Sequence, residues 1–267
     1  MLEIDKWIAV SVLGNSPGEG SPMVVVRLDH WLPDPVLLAA SRKLPSEEVT
    51  FAVIDGDTLT LRWFGPEGEV PFCGHGALAA SAVLTDRNDT CSVVALGGPG
   101  HLRLLIGHDR GIPMLQMPKV DITEKALGQI DISVSAVQIF DAGRDYLVVL
   151  PNAMTLRTAR PDRAKILALD KIGIILTART APANAVFRFF APRAGIEEDR
   201  VSCSVLPALA VLWLKDELDR GMFVQCSDVE IPMSVQRIDE GWRVTGPVYP
   251  TFQGAWSDLN TETPQCS

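Results

Sequence analysis

Glu69-Val-Pro-Phe-Cys73-Gly-His75-Gly76-Ala-Leu-Ala-Ala80 sets a thiol, an imidazole and two glycines where a turn runs into an apolar helix. The continuation over 78–84 is rich in alanine and leucine and carries no polar face over two turns. A helix that is apolar all round is a buried one. A second thiol stands at a matching place, in Glu198-Asp199-Arg-Val-Ser202-Cys203-Ser204-Val-Leu-Pro-Ala-Leu-Ala210, ahead of a second Ala/Leu run predicted as helix over 208–218. Short alternating apolar segments at 7–13, 23–28, 49–54, 59–63 and 93–96 read as strands, because β-branched residues cluster in them and Gly, Pro, Asp and Asn separate them. Asp55-Gly56-Asp57 between two such runs reads as a hairpin turn, with glycine supplying the positive φ. The stretch 35–43 reads as a further helix. The expected fold is therefore α+β, with two pseudo-symmetric lobes, each a β-sheet wrapped around a central buried helix. The lobes are placed at 1–120 and 121–267, with a closing strand after Gly246-Pro-Val248 crossing back to the first.

Bulk composition narrows the function. The chain has 267 residues, 47% hydrophobic and 21% charged, an ordinary globular balance. A net charge of -9 argues against nucleic acid, whose phosphates need a basic face. The longest apolar run, 205–214, contains Pro207 and is about half a bilayer span, so no membrane partner is expected. Nothing at the start resembles a signal peptide. The five cysteines are an odd number without a CxxC pair, which favours reduced thiols in a cytoplasm over a disulfide framework. Cys73 and His75 are the one Cys/His pair near metal-ligand spacing, and they do not share a helical face, so no metal and no cofactor are expected. The glycine stretch 97–100 is read as a loop lacking the helix that a phosphate cradle needs.

The two thiols carry the candidate chemistry. A cysteine at a helix start feels unsatisfied amides and the positive end of the helix dipole, which favours thiolate and helps hold an anionic substrate. Gly74 and Gly76 let backbone amides approach a ligand, while Ser202 and Ser204 offer hydroxyl donors and a cap. The plain alternative is that both cysteines are small buried hydrophobes. Glu48, leading into an apolar strand, is a candidate general acid/base if the fold buries it; otherwise Glu47 and Glu48 are a solvated turn. His75 is a candidate substrate ligand or a structural turn histidine. Asp199 is a candidate ligand, or one member of an acidic loop with Glu197 and Glu198 that Arg200 neutralises.

At these segments the sequence resembles the PhzF-like phenazine-biosynthesis family, within the broader diaminopimelate-epimerase-like fold. Glu69 to His75 is similar to that family's Glu-x-Pro-Phe-(Ala/Cys)-Gly-His element. Phe189-Phe-Ala-Pro-Arg-Ala-Gly-Ile-Glu-Glu-Asp199-Arg-Val-Ser-Cys203-Ser204 is similar to its second element almost throughout. Asp141-Ala-Gly-Arg-Asp-Tyr-Leu-Val-Val-Leu150 and Gly246-Pro-Val are further landmarks. The resemblance implies a proton-shuttling glutamate at Glu48, substrate contacts at His75, Asp199 and Ser204, and a homodimer. Cys203 departs from the family's usual glycine, and Val205-Leu206 from its Ala-His. Cys73-Gly-His-Gly76 with Cys203 looks more like the paired thiols of proline-racemase-type enzymes. Two mechanisms therefore stay open for a cofactor-independent isomerase acting on a small carboxylate: inversion at one carbon by Cys73 and Cys203, or an allylic proton shift by Glu48. A binding protein that keeps the fold without turnover, and a dehydratase that loses a leaving group after proton abstraction, are the other readings.

Overall fold

A computed structural model of the chain describes residues 2–14, 16–56, 58–86, 89–96, 102–215 and 218–259. The chain divides into two compact units, Met1–Gln116 with Thr245–Ser267, and Met117–Val244. No helix among the described residues is long and apolar enough to cross a membrane.

The first unit is built on strands β1 (Lys6–Val12), β2 (Ser21–Leu28), β3 (Val49–Asp55), β4 (Thr58–Gly65), β5 (Gly68–Val70), β6 (Thr90–Ala95), β7 (Leu102–Asp109) and β8 (Ile112–Pro118), with the last strand of the chain, β18 (Val248–Ala255). They pair in the order β18–β1–β2–β3–β4–β6–β7–β8, with β5 folded back on β4. Two of these pairings are parallel, β2 with β3 and β4 with β6. Each needs a crossover, and helices α1 (Asp34–Ser41) and α2 (Gly74–Leu84) supply them. Gly56 has φ +56° at the β3–β4 connection, as its sequence predicts, although Asp57 lies outside the described residues.

The second unit contains β9 (Thr123–Lys125), β10 (Gln138–Asp141), β11 (Asp145–Val149), α3 (Ala153–Thr158), α4 (Arg163–Leu167), β12 (Gly173–Ala181), β13 (Asn184–Ala191), β14 (Ile196–Asp199), α5 (Leu206–Trp213), β15 (Arg220–Cys226), β16 (Glu230–Ile238) and β17 (Gly241–Thr245). Its pairings repeat the first unit's pattern: β11 parallel to β12, β12 antiparallel to β13, β14 folded on β13, then β13 parallel to β15 and β15 antiparallel to β16. Helices α3 and α4 occupy the first crossover and α5 the second. The internal repeat read from two cysteine-led helices is thus a repeat of strand pairing.

Burial explains the sequence pattern. In β2, Val24, Val26 and Leu28 join Leu37 and Ala40 of α1 and Phe51, Val53 and Phe64 of β3 and β4 in one cluster, while α2 packs against β1, β2, β3 and β7. Central strands covered on both faces read as continuous apolar runs, which is why Met23-Val-Val-Val26 does not alternate. In α2, Gly74 and Gly76 to Ser81 are buried with Val83 and Leu84. The one polar side chain among them, Ser81, is satisfied by donating to the Gly107 carbonyl and accepting from the Gly107 amide. In the second unit α3 and α4 cover Ile139, Val148, Ile174, Leu176 and Phe190. Helix α5 contacts β15 and ends at Trp213 rather than at 218. There Leu214 leaves helical geometry (φ -97°, ψ 71°), and Trp213 Nε1 donates to Thr177 Oγ1 of β12 at 3.0 Å.

Candidate active site

In the first unit the sequence candidates converge. Cys73 is the N-cap of α2, in an extended conformation, and its Sγ accepts from the Gly76 amide at 3.3 Å. Sulfur here does what a serine or aspartate oxygen usually does at a helix start. His75 lies in the first turn, with both ring nitrogens 3.6 Å from Cys73 Sγ. The turn entering β3 brings Glu48 to the same place: its Oε2 is 3.8 Å from His75 Nε2. Ser46 steadies that turn by donating to the Glu48 carbonyl at 2.6 Å. Glu48 is no solvated turn residue, since its side chain is only 18% exposed and that of His75 13%. Cys73 is buried. A carboxylate, a thiol and an imidazole thus share one enclosed corner, at the end of α2 where the amides of Gly74 and His75 begin the helix.

Gly76 is there because nothing larger fits. A Cβ at this position would lie 2.6 Å from Thr50 Oγ1 and 2.7 Å from Trp63 Nε1, two groups facing each other across β3 and β4. Both are buried polar atoms without a hydrogen bond.

The second unit places Asp199, Ser202, Cys203 and Ser204 on the turn between β14 and α5. Asp199 accepts from Ser202 Oγ at 2.7 Å and from the Val201 amide at 3.1 Å. Gln225, wholly buried in β15, clamps the turn. Its Oε1 accepts from the Ser202 amide at 2.6 Å, and its Nε2 donates to the Asp199 carbonyl and to Ser202 Oγ. Neither serine caps α5, whose N-cap is Val205 without a side-chain bond. Ser202 is held by Asp199 and Gln225, and Ser204 Oγ accepts from Arg144 at 3.1 Å. Arg144 is in turn paired with buried Asp145 at 2.6 Å. Burial, followed by the Asp199 charge, pushes the Cys203 thiol well above its ordinary range. Cys203 is fully enclosed.

The acidic loop is engaged rather than solvated. Arg188, itself buried, takes Glu198 with two bonds of 2.7 Å, Arg163 pairs with Glu197, and Arg200 turns to Asp228 instead of neutralising its neighbours. Reading residue types missed Gln225, Arg144 and Arg188. The available signal was a polar residue inside an apolar strand, in Met222-Phe-Val-Gln225 and in Val186-Phe-Arg188-Phe, and the Arg-Asp pair of the 141–150 landmark. Among the described residues Cys73, Cys91, Cys203 and Cys226 are in no disulfide; Cys266, His101 and residues 97–100, read as a loop from the sequence, lie outside the described residues.

Comparison with known proteins agrees with the fold. A protein of Pseudomonas aeruginosa named an uncharacterized isomerase is 33% identical over 210 residues, covering 74% of this chain and 78% of its own. The crystal structure of a phenazine biosynthesis protein of the PhzF family from Enterococcus faecalis superposes with a TM-score of 0.81 at 25% identity, over 93% of this chain and 97% of that one. A probable proline racemase from Agrobacterium radiobacter shares the fold at 10% identity and a TM-score of 0.55, over 93% and 92% of the two chains. The family model described as phenazine biosynthesis-like protein matches residues 10–231. With that match over most of its length, the chain belongs to the phenazine biosynthesis-like (PhzC-PhzF) family.

Proposed function

We propose that the protein is an isomerase that moves a proton on a small carboxylate substrate without a cofactor, and that Glu48 is the working base. The isomerase class is supported by relatives named isomerase. The observation that carries the assignment is the corner where the Glu48 carboxylate lies 3.8 Å from the His75 ring, at the start of α2. A carbon acid next to a carboxylate or carbonyl gives its proton to Glu48. The resulting enolate charge is met by the first amides of α2, where the helix dipole favours a negative group. The substrate carries a carbon–carbon double bond next to the deprotonated carbon, so the enolate is delocalised over three carbons. His75 orients it or shares the proton, and the Glu48 carboxyl returns the proton at the far end of that unit while the double bond moves by one position, which is an allylic shift. Gly74 and Gly76 keep side chains out of the approach. Positioned acid/base groups contribute on the order of 10²- to 10⁴-fold to such steps.

A second reading, inversion by Cys73 and Cys203, draws support from the cap geometry of Cys73, which suits a thiolate. It asks more of Cys203, because burial holds that thiol protonated. Deuterium wash-in from solvent into a panel of candidate carboxylates separates the two. Under the allylic mechanism Glu48→Gln lowers exchange by at least about 100-fold, while Cys73→Ser and Cys203→Ser keep it. Exchange abolished by either cysteine substitution and retained in Glu48→Gln gives the proton transfer to the thiols instead. Asp199→Asn with near-normal exchange but weakened substrate binding is the expected mark of a binding carboxylate.

A further inference from the structure

We propose that Glu48, Cys73 and His75 form a binding site for one soft divalent cation, Zn²⁺ before others. Among the described residues they alone form such a group: one carboxylate oxygen, one sulfur and one imidazole nitrogen lie within 4.8 Å of one another. Tetrahedral zinc, with bonds of about 2.3 Å to sulfur and about 2.0–2.1 Å to nitrogen and oxygen, sets S···N edges near ~3.6 Å and N···O edges near ~3.4 Å. The protein has 3.6 Å between Cys73 Sγ and either His75 nitrogen, and 3.8 Å between His75 Nε2 and Glu48 Oε2. The imidazole–carboxylate edge thus needs to close by only a few tenths of an ångström, and the sulfur and carboxylate oxygen, already within 4.8 Å, close onto the same centre.

The imidazole must do more. A sulfur equidistant from both ring nitrogens lies on the lone-pair axis of neither, so the ring turns about its Cβ–Cγ bond to aim a lone pair at the shared centre. That Cys73 and His75 are only two residues apart is no obstacle, because Cys73 stands outside the helix as its cap. The rule that helical ligands must share a face does not apply to it.

The surroundings suit a metal thiolate. The Gly76 amide already donates to the sulfur at 3.3 Å, the kind of outer-shell bond that holds a metal ligand in place. The helix start favours the deprotonated thiol that binding requires. Thiolate and imidazole together select zinc over magnesium or calcium, and the thiol proton is released to solvent on binding. Three protein ligands leave a fourth position open, as in reactive rather than purely structural zinc sites. A bound ion would occupy all three groups of the corner, so loading silences proton transfer there. The site itself stands or falls on occupancy, whatever reaction the protein performs.

Titration of the metal-free full chain with Zn²⁺ against a chromophoric chelator tests this. One ion per chain is expected, with affinity at least tenfold weaker in each of Cys73→Ser, His75→Gln and Glu48→Gln and unchanged in Cys91→Ser and Cys226→Ser. Co²⁺ loading of the unsubstituted chain should give a thiolate-to-cobalt charge-transfer band that Cys73→Ser lacks. Zinc affinity unaltered by Cys73→Ser, absence of that band, or no competition with the chelator overturns the proposal.

Discussion

At the scale of single residues, the two thiols that look alike in sequence are set apart by their surroundings. Cys73 sits at a cap with an amide on its sulfur, while Cys203 is enclosed and kept protonated by burial and by Asp199. Since the thiolate is the reactive form, mild alkylation of the native protein should leave Cys203 unmodified and label half-buried Cys91 ahead of it. Mass spectrometry of the labelled peptides checks this, and rapid labelling of Cys203 would contradict the enclosure. Tyr146 gives a pH signature. Burial, then its hydrogen bond to Asp170, pushes its phenol up to about 12 from an ordinary value near 10. A raised pKa in the folded state means that this contribution is complete below about pH 10 and fades as pH rises towards 12. The stability of Tyr146→Phe should therefore fall less steeply over that alkaline window, as read by denaturant titration at several pH values. Residue types alone found Glu48, Cys73 and His75, because each stands beside a strand or helix start. They could not find Gln225 or Arg188, whose work is done for partners distant in sequence.

At the scale of elements, the start of α2 depends on a side chain being absent. Gly76→Ala would press a methyl group against Thr50 Oγ1 and Trp63 Nε1, and overpacking of this kind costs about 1–3 kcal/mol. A lowered unfolding midpoint with unchanged secondary structure is expected by calorimetry and circular dichroism, together with weaker substrate binding because the Cys73–His75 turn is displaced. The pairing of β13 with β14 is braced instead by the part-buried Arg188–Glu198 ion pair, and Arg188 also donates to the Leu156 and Ala159 carbonyls at the end of α3. Arg188→Met strands Glu198 in a half-buried pocket, and removing one partner of such a pair costs about 3–5 kcal/mol when burial is complete and less here. Denaturant unfolding should show a loss on the order of 2 kcal/mol, part of which Arg188→Met with Glu198→Leu recovers. The five strands read in the first unit were legible to within three residues, because apolar runs bounded by glycine and proline leave little choice. The end of α5 was not: Lys215 and Leu218 continue a plausible helical pattern, and what stops the helix is Trp213 reaching across to Thr177, a tertiary event.

At the scale of the whole molecule, the repeat was visible only as two cysteine-led helices, since the halves share little else in sequence. Pairing order shows it clearly, because backbone hydrogen bonds carry a pattern that side chains have stopped recording. The same scale explains the discontinuous first unit. β18 pairs with β1 along its whole length, from Lys6 with Ala255 to Val12 with Val248. Trp7 Nε1 donates to the Ala255 carbonyl, and the Trp256 amide to the Asp5 carbonyl. Ending the chain at Thr245 uncovers the edge of β1, and an unpaired apolar edge is a template for aggregation. Such a truncation should move the protein to the insoluble fraction on expression.

Because β1 precedes the whole second unit in sequence and β18 follows it, a ribosome must make all of Met117–Val244 before β1 acquires its outer neighbour. The unit begun first is then the unit completed last, and its sheet keeps the β1 edge bare while the second unit is made. Chaperone dependence during synthesis should accordingly fall on the beginning of this protein rather than on its centre.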